Sequence, residues 1–539
     1  MVTTPFADDF NLITQNKAMH QKLVTDIAEK IKSMGLELKP QKCRSLSIEK
    51  GKIENIVFKL KDYDEKDINI DSIIDKPMKF LGSNLAGDNS PSAMFVNILS
   101  MLETKLKNIN KSTLRGEFKL NIYSRYALPS MRYYFSVHQI HETHMQKLDL
   151  VAKKYVKIWL GIQKHGVSDA SIFHPYMLST KMPSQLYKEA HAGNFATIRS
   201  KGDSVVNHAL DSRLERESSW TRKYSTVNHM QTLWQENIDK NTITLPHTEE
   251  AQRASPAIIR QAKKAMYKSV REETLTYWNE RVQKLAFQGD FIQLLVEEKE
   301  NITWKSIINN IPRGVLSFAM KSTVNGLNTP DNLKRWGIRK TNKCDQCGNF
   351  GNLEHTLNWC KTALDQGRFT WRHNSILNHL AQALIEANNE GSWIIYADIP
   401  GMNMNGGTIP PDVLITAERP DLVLLDRSKK SIELYELTCS FEKNIDSAFV
   451  RKSKKYNDLK SDLIKAGWTT SLIPFEIGSR GYVTKRNTST LTGITKKVPT
   501  QIKHKKLITE LSQISLLCSF TIFQARCQPT WQDPPLLHP

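Results

Sequence analysis

Four residues confine one stretch of this chain more tightly than anything else in it: Cys344, Cys347, His355 and Cys360, spaced C-x2-C-x7-H-x4-C within 17 positions. A C-x2-C turn brings two thiolates onto one ion, and Gly348 lets the backbone fold back behind the second of them. His355 and Cys360 then close a tetrahedral set from the start of a helix. Four protein ligands leave no open position, so the expectation is a structural zinc knuckle. The other cysteines, Cys43, Cys439, Cys518 and Cys527, have no ligand spacing. Seven cysteines in 539 residues do not make a disulfide scaffold and point to a reducing compartment.

A chain of that length exceeds one compact core, so several domains are expected. The formal net charge of +20 speaks of partners, because a surplus of Lys and Arg attracts polyanions. No apolar run of about 18 residues suggests a bilayer span, and Phe6 is followed at once by Asp8 and Asp9, unlike a signal peptide. No membrane partner is expected.

Helical spacing places Leu23, Ile27 and Ile31 on one helix ending near Gly35, and predicts mostly helix over residues 95–200, with Val151, Tyr155 and Trp159 on one side. Residues 200–255 fade into Ser, Thr, Asn and His and read as a linker or a loosely packed insertion. A long helix follows, striped by Ile259, Ala262, Met266, Val270, Leu275, Trp278, Val282 and Leu285. Lys263, Lys264, Lys268 and Arg271 lie off that stripe, either solvated or facing nucleic acid. Residues 365–525 read as α/β, and the Pro-rich end as a frayed tail.

The clearest chemistry lies near residue 430. Asp421–Asp426 and Ser431–Thr438 read as two strands joined by the polar turn Arg427–Lys430. A symmetric hairpin pairs Leu425 with Ile432, Val423 with Leu434, and Asp421 with Glu436. Opposed residues have Cβ atoms about 5 Å apart, where like charges repel. A divalent cation such as Mg²⁺ between the two carboxylates would relieve that repulsion. One helix over residues 445–465 is expected next, with Ala448, Tyr456, Leu459 and Leu463 buried and Lys452 and Lys455 on the same side. The alternative is a surface hairpin beside a solvated basic helix.

Three groups of residues, in order, resemble one family. Phe6-Ala7-Asp8-Asp9-Phe10 resembles the F/Y-A-D-D box of reverse transcriptases, whose aspartates hold catalytic Mg²⁺. Gly35-Leu36 with Lys42, then Lys79-Phe80-Leu81-Gly82, resemble the palm motifs after that box, and Lys157-Ile158-Trp159-Leu160-Gly161 the end of the thumb. Asn332-Leu333-Lys334-Arg335-Trp336-Gly337 precedes the knuckle. Trp371-Arg372-His373-Asn374, Arg419-Pro420-Asp421, Glu436-Leu437-Thr438 and Arg451-Lys452 through Lys455-Tyr456 follow it. This order is similar to the C-terminal part of site-specific non-LTR retrotransposon proteins with a restriction-like endonuclease of the PD-(D/E)XK superfamily. Thr438 stands where a standard second-strand lysine would be, in keeping with the lysine having moved to the next helix.

The resemblance implies a multidomain α+β and α/β chain. Its parts would be a partial reverse-transcriptase palm (1–92), a helical thumb-like region (93–200), a linker and long helix (201–300), a lead-in and CCHC knuckle (301–365), a restriction-like endonuclease (366–527) and a tail (528–539). It implies metal binding by Asp421 and Glu436, a catalytic or phosphate-binding role for Lys452 and Lys455, and nucleic-acid contacts by Arg372, Arg419, Arg451 and Tyr456. The expected cofactors are structural Zn²⁺ and catalytic Mg²⁺. The expected partners are target DNA and element RNA, and the expected location is the nucleus. Asp8 and Asp9 without an earlier palm strand are expected to leave the polymerase inactive, in a fragment of a longer protein.

Overall fold

The computed structural model describes the chain except residues 1, 7–8, 37, 62–65, 81–82, 89, 163–166, 179, 218–224, 245–254, 286, 299–303, 308, 310, 390, 405–406 and 538–539. It is mixed helix and sheet, helix predominating. Two compact units partition it: Met1–Leu102 with Met131–His144, and Glu103–Ser130 with Met145–Pro539.

In the first unit the helix Lys17–Ser33 is capped by Asn16, whose side chain accepts the Met19 amide at 2.8 Å, and is followed by Gly35 at φ +75°. It buries Leu23, and Val24 against Phe58, Leu60 and Ile70, while Ile27 and Ile31 are half-buried. The described strands pair only as separate two-stranded hairpins. One joins Val2–Phe6 to Asp9–Ile13, with Phe6 opposite Asp9. Ala7 and Asp8 of the expected aspartate box lie outside the described residues, as do Leu81 and Gly82.

In the second unit, the helix Glu142–Trp159 buries Leu148, Ala152 and Val156, one position round from the expected Val151 and Tyr155, which are half-buried. The expected linker is largely helical. Ser204–Arg216 and Thr226–Asp239 are helices, and the second buries Val227, Met230, Leu233 and Trp234 against Phe195, Ala196, Ala262 and Met266. A stripe of four apolar residues diluted by polar neighbours is enough to dock a helix that has two others to lie on. The long helix Pro256–Gln283 buries Ala262, Met266, Val270, Trp278 and Val282 of the expected stripe, with Ile259 and Leu275 half-buried and Leu285 past its end. It approaches Pro183–Lys201 so closely at Gly193 that a Cβ there would lie 2.3 Å from the Tyr267 hydroxyl.

The region after the cysteine cluster is built on a four-stranded sheet. The helix α1 (Arg368–Ala387) precedes β1 (Ile394–Ala397), β2 (Leu422–Asp426) and β3 (Ser431–Thr438). The helices α2 (Ile445–Lys455) and α3 (Asn457–Lys465) then cross to β4 (Thr469–Glu476), and α4 (Lys485–Thr495) and α5 (His504–Gln524) follow. The order is β4-β3-β2-β1, with β3 and β4 parallel and the other pairs antiparallel. Leu422, Leu424, Tyr435 and Leu437 point to a core shared with α1, α4 and α5, and Val423, Leu425, Ile432 and Leu434 to a second core with Tyr456, Leu459 and Leu463. Both faces of the sheet are therefore covered.

Two expectations change here. The segment from His504 to Cys527 is long and apolar enough to cross a membrane by length and composition, but 61% of its apolar window is buried inside the fold, where Leu507, Ile508, Leu511, Ile514 and Ile522 join the core. The tail is docked rather than frayed. Trp531 packs edge-on to Trp371 with centroids 5.6 Å apart, and the Trp371 indole N–H donates to Pro534 O at 2.8 Å. Arg368 donates to Gln528 O at 2.9 Å. Composition suggested fraying, but docking depends on an aromatic platform 160 positions earlier.

Trp531→Ala should therefore lower the midpoint of thermal unfolding, at a cost of about 1–3 kcal/mol for a half-buried aromatic. An unshifted midpoint would mean that the tail contributes nothing to the core.

Candidate metal centre and carboxylate–lysine site

The cysteine cluster closes as its spacing predicts. Gly348, at φ +75°, folds the turn so that its amide donates to Cys344 O at 3.0 Å, and the Cys344 amide donates to Asn349 O at 2.7 Å. His355 is presented at the start of a helical turn, its amide held by the Asn352 side chain at 2.7 Å. The ligand atoms of Cys344, Cys347, His355 and Cys360 all lie within 4.8 Å of one another. Cys344 Sγ and Cys360 Sγ are 4.0 Å apart, and Cys347 Sγ and His355 Nε2 3.2 Å. Tetrahedral zinc with Zn–S bonds of about 2.3 Å needs sulfur separations of about 3.8 Å, so the set is compatible with structural zinc. Burial pushes the Cys360 thiol up to about 12, with crowding by Cys344 and Cys347 adding to it, while burial lowers the His355 imidazole. A divalent cation reverses the penalty on the thiolates.

The knuckle is fastened to the sheet domain. Asn358 donates to Cys439 O at 2.7 Å, one residue past β3. Glu354 accepts from Asn444 at 2.7 Å and pairs with Lys443 at 2.5 Å, in the turn that opens α2.

The hairpin has the predicted register: Leu425 opposite Ile432, and Val423 opposite Leu434. Asp421, just before β2, and Glu436 continue that pairing, and the Asp421 amide lies 3.4 Å from Glu436 Oε2. The helix predicted over residues 445–465 is instead two, α2 and α3, jointed at Tyr456. Both lysines reach Glu436 Oε1, Lys455 at 3.0 Å. Glu436 is 1% exposed, whereas the Lys455 side chain is 45% exposed.

These lysines alter one inference. The carboxylate repulsion that appeared to require a cation is already balanced by Lys452 and Lys455, with His373 beside Asp421 at 3.2 Å. Burial would lower the His373 pKa, but the Asp421 charge outweighs it and raises the imidazole; burial would raise Asp421, but His373 holds it below the usual carboxylate range. Burial opposes the Lys455 charge too, and Tyr456 and Glu436 overcome that and raise it. Mg²⁺ commonly takes one or two protein carboxylates and keeps its waters, so Asp421 and Glu436 suit it in number, although the network does not need it for charge balance.

The expected nucleic-acid residues divide. Arg451 is exposed, and Arg419 is exposed but pairs with Asp398 at 2.5 Å. Arg372 is not on the surface: it is 1% exposed, with its guanidinium on Ser519 Oγ at 2.9 Å and Cys439 O at 3.2 Å. Tyr456 is also buried, its hydroxyl donating to Arg419 O at 2.9 Å. Both side chains are held by partners far along the chain, and the burial of Tyr456 is what its helical stripe predicted. Asp398 pairs with Arg419, and Asp412 with Arg427. Asp9 lies in a strand and Asp8 outside the described residues.

Metal analysis of the purified chain should give one zinc per molecule, and Cys347→Ser should abolish it and lower the unfolding midpoint, since binding free energy at such sites is folding free energy. Zinc-free wild type with an unchanged midpoint would overturn the assignment. No family model matches the chain, and no curated protein matches it.

Proposed function

We propose that the domain around the four-stranded sheet is a metal-dependent endonuclease that nicks DNA, in a protein of the non-LTR retrotransposon kind, with target DNA and element RNA as partners in the nucleus. The observation that carries this reading is the convergence of Asp421 and Glu436 from adjacent strands with Lys452 and Lys455 from the next helix. Folding alone gives no reason to set two carboxylates together at the end of an otherwise apolar face and then spend two lysines on one of them. The net charge of +20 favours a polyanionic substrate.

Asp421 and Glu436 would hold Mg²⁺, which when bound supplies polarisation of water and phosphate. Lys452, at 19% side-chain exposure, pairs with Glu436 and fixes its carboxylate. Lys455 is more exposed and is suited to meet the scissile phosphate, while the Tyr456 hydroxyl, 2.5 Å from its Nζ, restrains it. The zinc knuckle holds the β3–α2 connection and takes no part in the reaction.

A second reading rests on the charge balance of the same network: a set of side chains satisfied without a cation could persist in a non-catalytic nucleic-acid-binding protein. Mg²⁺ dependence separates the two. Plasmid nicking by the full chain should require Mg²⁺, stop in EDTA and fall about 10²-fold or more in Asp421→Ala. Intact plasmid in every lane, from folded and zinc-loaded protein that still retards DNA in EDTA, would favour the second reading.

A further inference from the structure

Sequence reasoning gave His373 no role, yet it is the side chain that touches Asp421 from the opposite layer of the fold. It lies on α1, and its Nε2 stands 3.2 Å from Asp421 Oδ2. The same oxygen accepts the Leu437 amide at 2.7 Å. Asp421 Oδ2 thus has two partners, His373 as an ion pair and the Leu437 amide as a hydrogen-bond donor, while among the described residues Oδ1 has none. The other carboxylate is similarly divided: Glu436 Oε1 takes both lysines, and Oε2 only the long contact from the Asp421 amide. Each acid is restrained at one oxygen and spare at the other.

The support beneath His373 is rigid. On the preceding turn Arg368 bonds Ala525 O at 2.6 Å and Trp371 bonds Pro534 O, and the adjacent Arg372 bonds Ser519 and Cys439. On its own far side, His373 Nδ1 meets the Asn374 side chain at 3.1 Å. An imidazole occupied at both nitrogens is poorly placed to take a proton from water, and well placed to fix a carboxylate.

We propose that His373 is a positioning residue: it holds Asp421 by Oδ2 so that Oδ1 is presented to a divalent cation shared with Glu436. This rests on the endonuclease reading above. Partners that orient a ligating group commonly account for ten- to hundredfold in metal affinity.

The test uses the full, zinc-loaded chain and Mn²⁺ as the probe, with binding read by calorimetry and nicking read separately. Wild type should bind Mn²⁺ in a manner lost in Asp421→Ala. His373→Ala should bind about ten- to hundredfold more weakly and need correspondingly more metal for half-maximal nicking, with KM for DNA unchanged. His373→Gln, which restores an N–H donor, should recover most of the affinity. If alanine disturbs α1, judged by circular dichroism, the near-equal volumes of His373→Gln and His373→Leu permit the same comparison. Wild-type Mn²⁺ affinity in a folded His373→Ala or His373→Leu, alongside its loss in Asp421→Ala, would overturn the positioning role and leave the endonuclease reading intact. Absence of Asp421-dependent Mn²⁺ binding in wild type would overturn both.

Discussion

The register of the β2–β3 hairpin is the constraint on which the C-terminal domain depends. Side chains alternate across a sheet, so a slip of one residue would move Glu436 from the lysines to the opposite core and turn Val423 and Leu434 out of theirs. The turn prevents that slip. Asp426, fully buried, accepts the Ser428 amide at 3.0 Å, the Ser428 hydroxyl at 2.6 Å and the Lys429 amide at 3.1 Å through one oxygen, and the Ser392 hydroxyl at 2.9 Å through the other. Lys430 completes the reversal at φ +46°. One carboxylate at the turn thereby determines where another arrives five residues further along β3.

From that register the remainder follows in layers. Asp421 and Glu436 meet where β2 begins, one residue beyond the Leu422–Tyr435 pair, beside the stretch of β3 that runs on to Thr438. The lysines meet Glu436 because α2 leaves β3 through a connection gripped on both sides, by Glu354 of the knuckle against Lys443 and Asn444, and by the buried Arg480 against Glu442 at 2.7 Å. Arg480 also lies between the Phe291 and Phe441 rings, with its charge 4.6 and 4.4 Å from their centroids. Removing either member of such a buried pair leaves an uncompensated charge, so it acts more as a constraint on geometry than as a source of net stability.

The sequence disclosed what local rules govern. Four ligands within 17 positions announced the knuckle, and a polar turn between two apolar runs was enough to pair Leu425 with Ile432 and Val423 with Leu434. It concealed what long-range partners decide. The resemblance implied that Arg372 contacts nucleic acid, and its burial depends on Ser519, 147 positions away. Tyr456 was recognised as part of a buried stripe, but its hydroxyl bond to Arg419 O, at the joint between α2 and α3, has no local signature. The helices between 204 and 239 were masked by polar residues that say nothing about the neighbours available to a short apolar stripe. His373 was visible only as part of a motif, because its function depends on a carboxylate brought from another element.

The disparity in span between the two sites has a consequence for the order of folding. The thiolates and imidazole close within a loop of 17 residues, a local event of small entropic cost. The carboxylate–lysine network needs α1 seated against α5, with Arg372 on Ser519, and a parallel strand pair closed through a two-helix crossover. Contacts of such separation form slowly. A metal held by the cysteines would thus be captured before assembly of the sheet, giving the β3–α2 connection a preformed anchor when the strands come together.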